Sequence, residues 1–152
     1  MLKILCVGKI KENFIKDGIN EYAKRINGYD KFQITEVKEF NQKTIKQNMF
    51  DEGTCILNEI SDKDFVITLE IKGKILSSEE LAEKLTEITN YHSTKIVFVI
   101  GGSNGLDERV IERSNFHLSF SRLTFPHQLM RLILVEQIYR ALTIINHQEY
   151  HK

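Results

Sequence analysis

Residues 118–140 read LSFSRLTFPHQLMRLILVEQIYR, and this stretch decides the fold. Leu118 to Phe120 has the character of a short apolar strand. Ser121 to Phe125 is a polar and aromatic turn, and Pro126, the only proline, follows it. Proline fixes φ near the helical value and lacks an N–H, so it suits the first turn of a helix and no later position. It also pushes Phe125 out of the α region. A long apolar helix is therefore expected from about His127 to Ile145. A strand, a stiff turn and a helix in succession form a unit of an open α/β sheet, and ligands in such sheets bind at strand ends.

The chain before this stretch repeats the same alternation. Leu2 to Gly8 reads as a strand. Residues 12–26 place Ile15, Ile19, Tyr22 and Ile26 on one helical face with charges between them. Phe32, Ile34 and Val37 mark a second strand. Thr44 to Ile60 reads as a second helix, with Gly53 on its apolar stripe. A glycine there costs about 1 kcal/mol against alanine, so something is expected to pack closely against it. Phe65 to Leu69 is a third strand, followed by a loop over residues 70–74. Ser77 stands three residues before Glu80, the spacing of a capping box, and opens a third helix through Leu81, Leu85 and Ile88. KIVFVI at residues 95–100 is nearly continuous in apolar residues, as strands covered on both faces are. It ends in Gly101-Gly-Ser-Asn-Gly105, and a short helix over 107–113 leads back to the strand at 117–120.

Strict alternation of strand and helix predicts an α/β fold with a mainly parallel sheet and helices on both faces. The 152 residues are expected to form a single domain, 1–152, that buries about two-thirds of its chain surface. The loops after Leu69, Ile100 and Phe120 should gather at the C-terminal edge of the sheet. The helix at 127–145 is apolar around more than one stripe. A partner chain would cover what the sheet cannot, so a homodimer built partly on this helix is expected; the alternative is a helix sandwiched inside one chain.

Composition excludes several classes. Formal net charge is zero, so bulk charge does not advertise a nucleic-acid binder, although residues from Arg109 onward carry six Lys and Arg against three Asp and Glu. Cys6 and Cys55 form no CxxC pair and read as reduced thiols, which with no membrane-spanning run and no signal-peptide pattern predicts a cytoplasmic protein. GGSNG is not GxGxxG, and no GxxxxGK[ST] occurs. His147 and His151 are four apart, but Gln148 stands where the zincin pattern needs glutamate, so no metal is expected. Glu136 and Arg140 have the favourable i, i+4 orientation of a helix pair.

Residues 98–106 (FVIGGSNGL), 118–131 (LSFSRLTFPHQLMR), 136–141 (EQIYRA) and the end Tyr150-His-Lys152 closely resemble the bacterial 23S ribosomal RNA pseudouridine N3-methyltransferases of the SPOUT class. The resemblance extends to LKILCVGKIKE at the start and to VITLEIKGKILSSEELA. It implies a C-terminal trefoil knot and S-adenosylmethionine bound bent among the knot's loops. Carried over by position, the cofactor contacts are Leu69, Gly101, Phe120, Ser121, Arg122, Leu123, Thr124 and Phe125. They fall on the three loops already singled out from strand order. The resemblance implies methyl transfer to N3 of a pseudouridine in the large subunit or the assembled ribosome. The C-terminal tail is expected to supply part of the catalytic site, with His151 as general base and Tyr150 orienting the uracil, while Arg131 and Lys152 hold phosphate or base. The alternatives are a non-catalytic RNA- or ribosome-binding dimer of the same fold, which need not bind the cofactor, and a methyltransferase of this class acting on another RNA.

Overall fold

The computed structural model describes residues 1–92 and 94–152. Among them a five-stranded sheet has the order β2-β1-β4-β3-β5. Its strands are β1 (Leu2–Val7), β2 (Phe32–Val37), β3 (Phe65–Ile75), β4 (Ile96–Ile100) and β5 (Phe116–Ser119). Every pairing is parallel. The two central strands, β1 and β4, are buried along their whole length, which explains their unbroken apolar sequence.

The helices divide between the faces. On one lie α1 (Asn13–Ile26), α3 (Ser78–His92) and α5 (His127–Ile145), packed on Ile4, Ile67, Phe98 and Leu118 of the sheet. On the other lie α2 (Ile45–Asn58) and α4 (Glu108–Arg113), packed on Leu5, Val66, Val97 and Val99. The capping box forms reciprocally: the Glu80 amide donates to Ser77 Oγ at 3.1 Å and the Ser77 amide to Glu80 Oε1 at 2.8 Å.

Two expectations need correction. β3 does not stop at Leu69. It continues to Ile75, and both Leu69 and Lys74 lie opposite Leu118, so residues 70–73 are a bulge within one long strand. The run EIKGK looks like a loop because it lacks an apolar pattern; its hydrogen bonding comes from β5. Gly73 is what lets the chains meet, since a Cβ there would lie 2.8 Å from backbone atoms of His117 and Leu118. Secondly, α5 is not left with one face on the sheet and the rest bare. It packs against α1 on one side and α3 on the other, and Leu134, Val135, Ile138, Ala141 and Leu142 are buried. The chain itself thus supplies much of the cover assigned to a second copy. Leu129, Met130, Leu132, Ile133 and Tyr139 remain half-buried.

The close neighbour expected at Gly53 is Asp107. A Cβ on Gly53 would lie 2.7 Å from Asp107 Cβ and Oδ2. Asp107 accepts from Arg109 Nε at 2.7 Å, and Arg109 reaches back to the Phe50 carbonyl at 2.7 Å and Thr54 Oγ1 at 3.0 Å. Gly53→Ala is therefore expected to lose about 1–2 kcal/mol of stability, because overpacking exceeds the gain in helix propensity. Urea unfolding with an unchanged m-value checks this; a raised midpoint would contradict it.

Candidate active site

Three chain bends meet at the C-terminal edge of the sheet, as strand order required. Residues 69–72 of the β3 bulge, residues 100–106 after β4 and residues 118–126 after β5 enclose a cavity of about 820 Å³, closed below by Ile111 and beside by His127 and Met130 of the α5 entrance. Its walls are mostly apolar: Leu69, Ile100, Leu106, Leu118, Phe120 and Met130. A volume of this order suits an organic molecule of cofactor size.

Local sequence explains each wall. Gly101 carries no side chain because a Cβ would come within 2.8 Å of the Gly105 carbonyl carbon and oxygen. Gly102 and Gly105 close the turn with a 3.0 Å backbone bond, and Gly105 has φ +89°. After β5, Ser119 Oγ donates to the Ser121 carbonyl at 3.0 Å and Ser121 Oγ accepts from the Leu123 amide at 3.0 Å. Pro126 is the residue before the helix, and its carbonyl accepts from Met130 at 2.9 Å.

Of the eight cofactor positions, Leu69, Gly101, Phe120, Ser121, Leu123, Thr124 and Phe125 line the cavity. Arg122 lies between lining residues but turns outward, and is exposed. Sequence reasoning missed Glu70, Lys72, residues 103–106 other than as a turn, Ile111, His127 and Met130. Only the proline-anchored helix start could have pointed to the last two.

Arg131, expected to meet substrate, has another task in this chain. It is 1% exposed. Its guanidinium pairs with Glu36 at 2.6 Å and donates to the carbonyls of Val7 and Gly8 at 3.2 and 3.1 Å. It bolts α5 to the ends of β1 and β2. Burial so near this pair pushes the Cys6 thiol up to about 12, leaving it inert as a nucleophile.

The tail is docked rather than frayed. His147 adopts φ +55°, and the Gln148 amide donates to the Thr143 carbonyl at 2.9 Å, the six-to-one bond of a Schellman turn. This reversal folds Tyr150 and His151 back on α5, so His147 and His151 do not share a helical face. Tyr150 donates to Glu136 Oε1 at 3.1 Å, packs edge-on against Tyr139 and lies under Arg140. Burial first, then the bonds to Tyr22 and Glu136, raise the Tyr150 phenol well above its ordinary value, so it stays protonated and acts as a donor. Arg140 holds Glu136 Oε1 at 2.7 and 2.9 Å, which raises the guanidinium in turn. A third Arg140 nitrogen reaches His151 Nδ1 at 3.1 Å. Guanidinium can only donate, so Nδ1 accepts, and Nε2–H donates to Glu79 at 2.6 Å. That bond holds the Glu79 carboxyl below its usual range.

Tyr150, His151 and Lys152 do not line the cavity. Arg140, which holds His151, lies thirteen residues along α5 from His127 at the cavity, about 20 Å at the helical rise. A smaller cavity of about 310 Å³ lies between, lined by Ser77, Ser78, Leu81, Ile133 and Gln137 and divided from the first by Leu118, Phe120 and Phe125.

No metal-binding group of three or more His, Cys, Asp or Glu occurs among the described residues, and no described helix is long and apolar enough to cross a membrane.

An apolar cavity among strand-end bends of an all-parallel sheet is where open α/β folds bind their ligands. The comparisons make it specific: residues 1–151 match the family described as "Predicted SPOUT methyltransferase", and the chain belongs to that family. It is 50% identical over 157 aligned residues to "Ribosomal RNA large subunit methyltransferase H" of Limosilactobacillus reuteri (strain DSM 20016), covering 99% of each chain. Proteins of the same name in Pediococcus pentosaceus and Carboxydothermus hydrogenoformans are each 48% identical, again over 99% of both chains. A solved structure of a probable methylase family protein from Haemophilus influenzae Rd KW20 shares the fold, with a TM-score of 0.58 at 14% identity, covering 99% of this chain and 70% of that one.

Proposed function

We propose that this chain is a cytoplasmic S-adenosylmethionine-dependent methyltransferase that methylates N3 of a pseudouridine in large-subunit ribosomal RNA. The observation that carries the reading is the three-bend cavity, in a chain about half identical over its full length to relatives named for ribosomal RNA methylation. The residues present fit the donor: apolar walls for its adenine and ribose carbons, and a bend at Gly101 where no Cβ can be accommodated. Leu69, Gly101, Phe120, Ser121, Leu123, Thr124 and Phe125 would hold it. When bound it would supply a methyl group activated by a sulfonium, whose sulfur would keep the electron pair of the broken C–S bond.

The protein's part is to position and to take a proton. Alignment of nucleophile and methyl carbon supplies up to roughly 7–11 kcal/mol of the barrier. In this reading His151 Nδ1 gives up the hydrogen bond it accepts from Arg140 to take the N3 proton, and the Tyr150 hydroxyl turns from Glu136 to a uracil carbonyl. Neither lines its own chain's cavity: Tyr150 is held by Glu136 and His151 by Arg140, six and ten residues along α5 from Met130, about 9 and 15 Å at the helical rise, and in this reading they serve the cavity of a second copy. In an antiparallel two-fold pairing of α5 helices, the tail of one chain lies beside the cavity of the other, which closes that distance. Support comes from apolar side chains left bare at the cavity, Ile71 at 52% and Leu123 at 69% exposed, and at the end of β3, where Ile75 is 53% exposed. Lys152, free at the chain end, is then placed to meet substrate. The reading includes the trefoil knot implied by the resemblance.

Radiolabelled methyl transfer to ribosomes tests the function. Transfer is expected to ribosomes carrying the target pseudouridine and to fall at least tenfold where uridine replaces it. Binding of S-adenosylmethionine with equal transfer to both would assign another RNA substrate; no binding in calorimetry would leave a non-catalytic RNA-binding dimer.

A further inference from the structure

The chain is neutral as a whole, yet its cations are not evenly neutralised. Among the described residues, five of the six arginines have partners. Arg25 lies 3.9 Å from Glu21, Arg109 2.7 Å from Asp107, Arg131 2.6 Å from Glu36 and Arg140 2.7 Å from Glu136. Arg113 donates to Asn115 and to the carbonyls of Ser61 and Asp64. Arg122 has none, and it stands exposed between two residues that line the cavity.

Arg122 has company. Lys72 lines the same cavity and pairs with no acid. Lys11 is exposed in the loop after β1, and its amide donates to Gln128 Oε1 at 3.1 Å, beside His127 on the first turn of α5. Glu70 is the one acid lining the cavity, and its carboxylate is turned to Thr68 Oγ1 and His117 Nδ1 rather than to these cations. At the opposite edge of the sheet several cations are paired. There Lys3 pairs with Glu59 at 3.3 Å, the N-terminal ammonium with Asp30 at 3.3 Å and Lys95 with Asp64 at 3.7 Å. Unpaired cations around a cavity mouth, in a chain that satisfies most of its other arginines, complement a polyanion. Arginine's planar fork matches a phosphate bidentately, and lysine serves as a point charge.

We propose that Arg122, Lys11 and Lys72 form a phosphate-gripping rim that holds the RNA backbone flanking the target nucleotide. The proposal rests on the ribosomal RNA methyltransferase reading. It assigns Arg122 to the substrate, whereas the bend that carries it serves the donor. Because the rim is a handful of charges on a neutral protein, it supplies register more than bulk affinity.

The test is the salt dependence of KM for ribosomal substrate, with wild-type chain, Arg122→Gln, Lys11→Gln, Lys72→Gln and the triple variant. Each single change is expected to raise KM about fivefold and to lower the slope of log KM against log salt by about one, and the triple by about three. Arg122→Lys is expected to keep most of the slope, while Lys63→Gln and Lys31→Gln at the opposite edge are expected to match wild type. Slopes equal to wild type in the rim variants would overturn the proposal while the methyltransferase reading stood. So would a KM change traced by calorimetry to donor affinity, or by ultracentrifugation to a changed oligomeric state. If the wild-type chain transfers no methyl to ribosomes, the underlying reading fails and the rim falls with it.

Discussion

His151→Ala is expected to lower kcat by about 10²–10³-fold with S-adenosylmethionine affinity within twofold of wild type. A positioned general base is worth roughly 10²–10⁴-fold, and nothing in the tail lines the donor cavity of its own chain. The docked geometry fixes how this histidine is held. Arg140 donates to Nδ1 and Glu79 accepts from Nε2, which orients the ring, and substrate must displace Arg140 before Nδ1 can take a proton. His151→Gln, which preserves a hydrogen-bonding side chain but takes no proton near neutrality, should be equally impaired. Wild-type turnover by His151→Ala with saturating donor would remove the histidine from the mechanism.

The second large effect is expected at Gly101. A Cβ at this position would lie 2.8 Å from the carbonyl carbon and oxygen of Gly105, which are backbone atoms of the same tight turn and have nowhere to yield. Gly101→Val is expected to weaken donor binding by at least 100-fold, about 2.7 kcal/mol, because the turn that forms one cavity wall must open. The alanine variant should fall between. The neighbouring strand is buried throughout and anchored in two pairings, so the sheet should survive and circular dichroism should be unchanged. Wild-type donor affinity in Gly101→Val would mean that the donor does not approach this bend.

Much of this site was legible in residue pattern alone, for physical reasons. Alternating strands and helices force a parallel sheet, and a parallel sheet places the turns after Leu69, Ile100 and Phe120 on one edge. The Ser77–Glu80 box is a local interaction over three residues and could be read directly. The crowding at Gly53 could be anticipated, since an uncompensated glycine in a helix implies a close neighbour, although nothing local named Asp107.

What escaped was long-range. Arg131 sits in an apolar run and reads equally as a cation for phosphate or as a core strut. The choice depends on Glu36 and two carbonyls of the β1 end, more than ninety residues away. Residues 70–74 have a loop's composition, and they extend β3 because β5 returns alongside them. The sheath of α1 and α3 around α5 could not be seen from α5's own pattern, which records that a helix is covered without recording by what. The tail's reversal at His147 depends on a non-glycine residue in a left-handed conformation, for which HQEYH gives little sign.

The central claim is that one chain's cavity works with another chain's tail, and mixed dimers test it most directly. His151→Ala and Gly101→Val chains, each inactive alone, would be co-refolded in equal amounts. Half the dimers would then be mixed, and each mixed dimer would hold one intact cavity facing one intact tail. The account predicts recovery of about a quarter of wild-type activity. Activity no greater than the sum of the two separate variants, in a sample shown to contain mixed dimers, would contradict it.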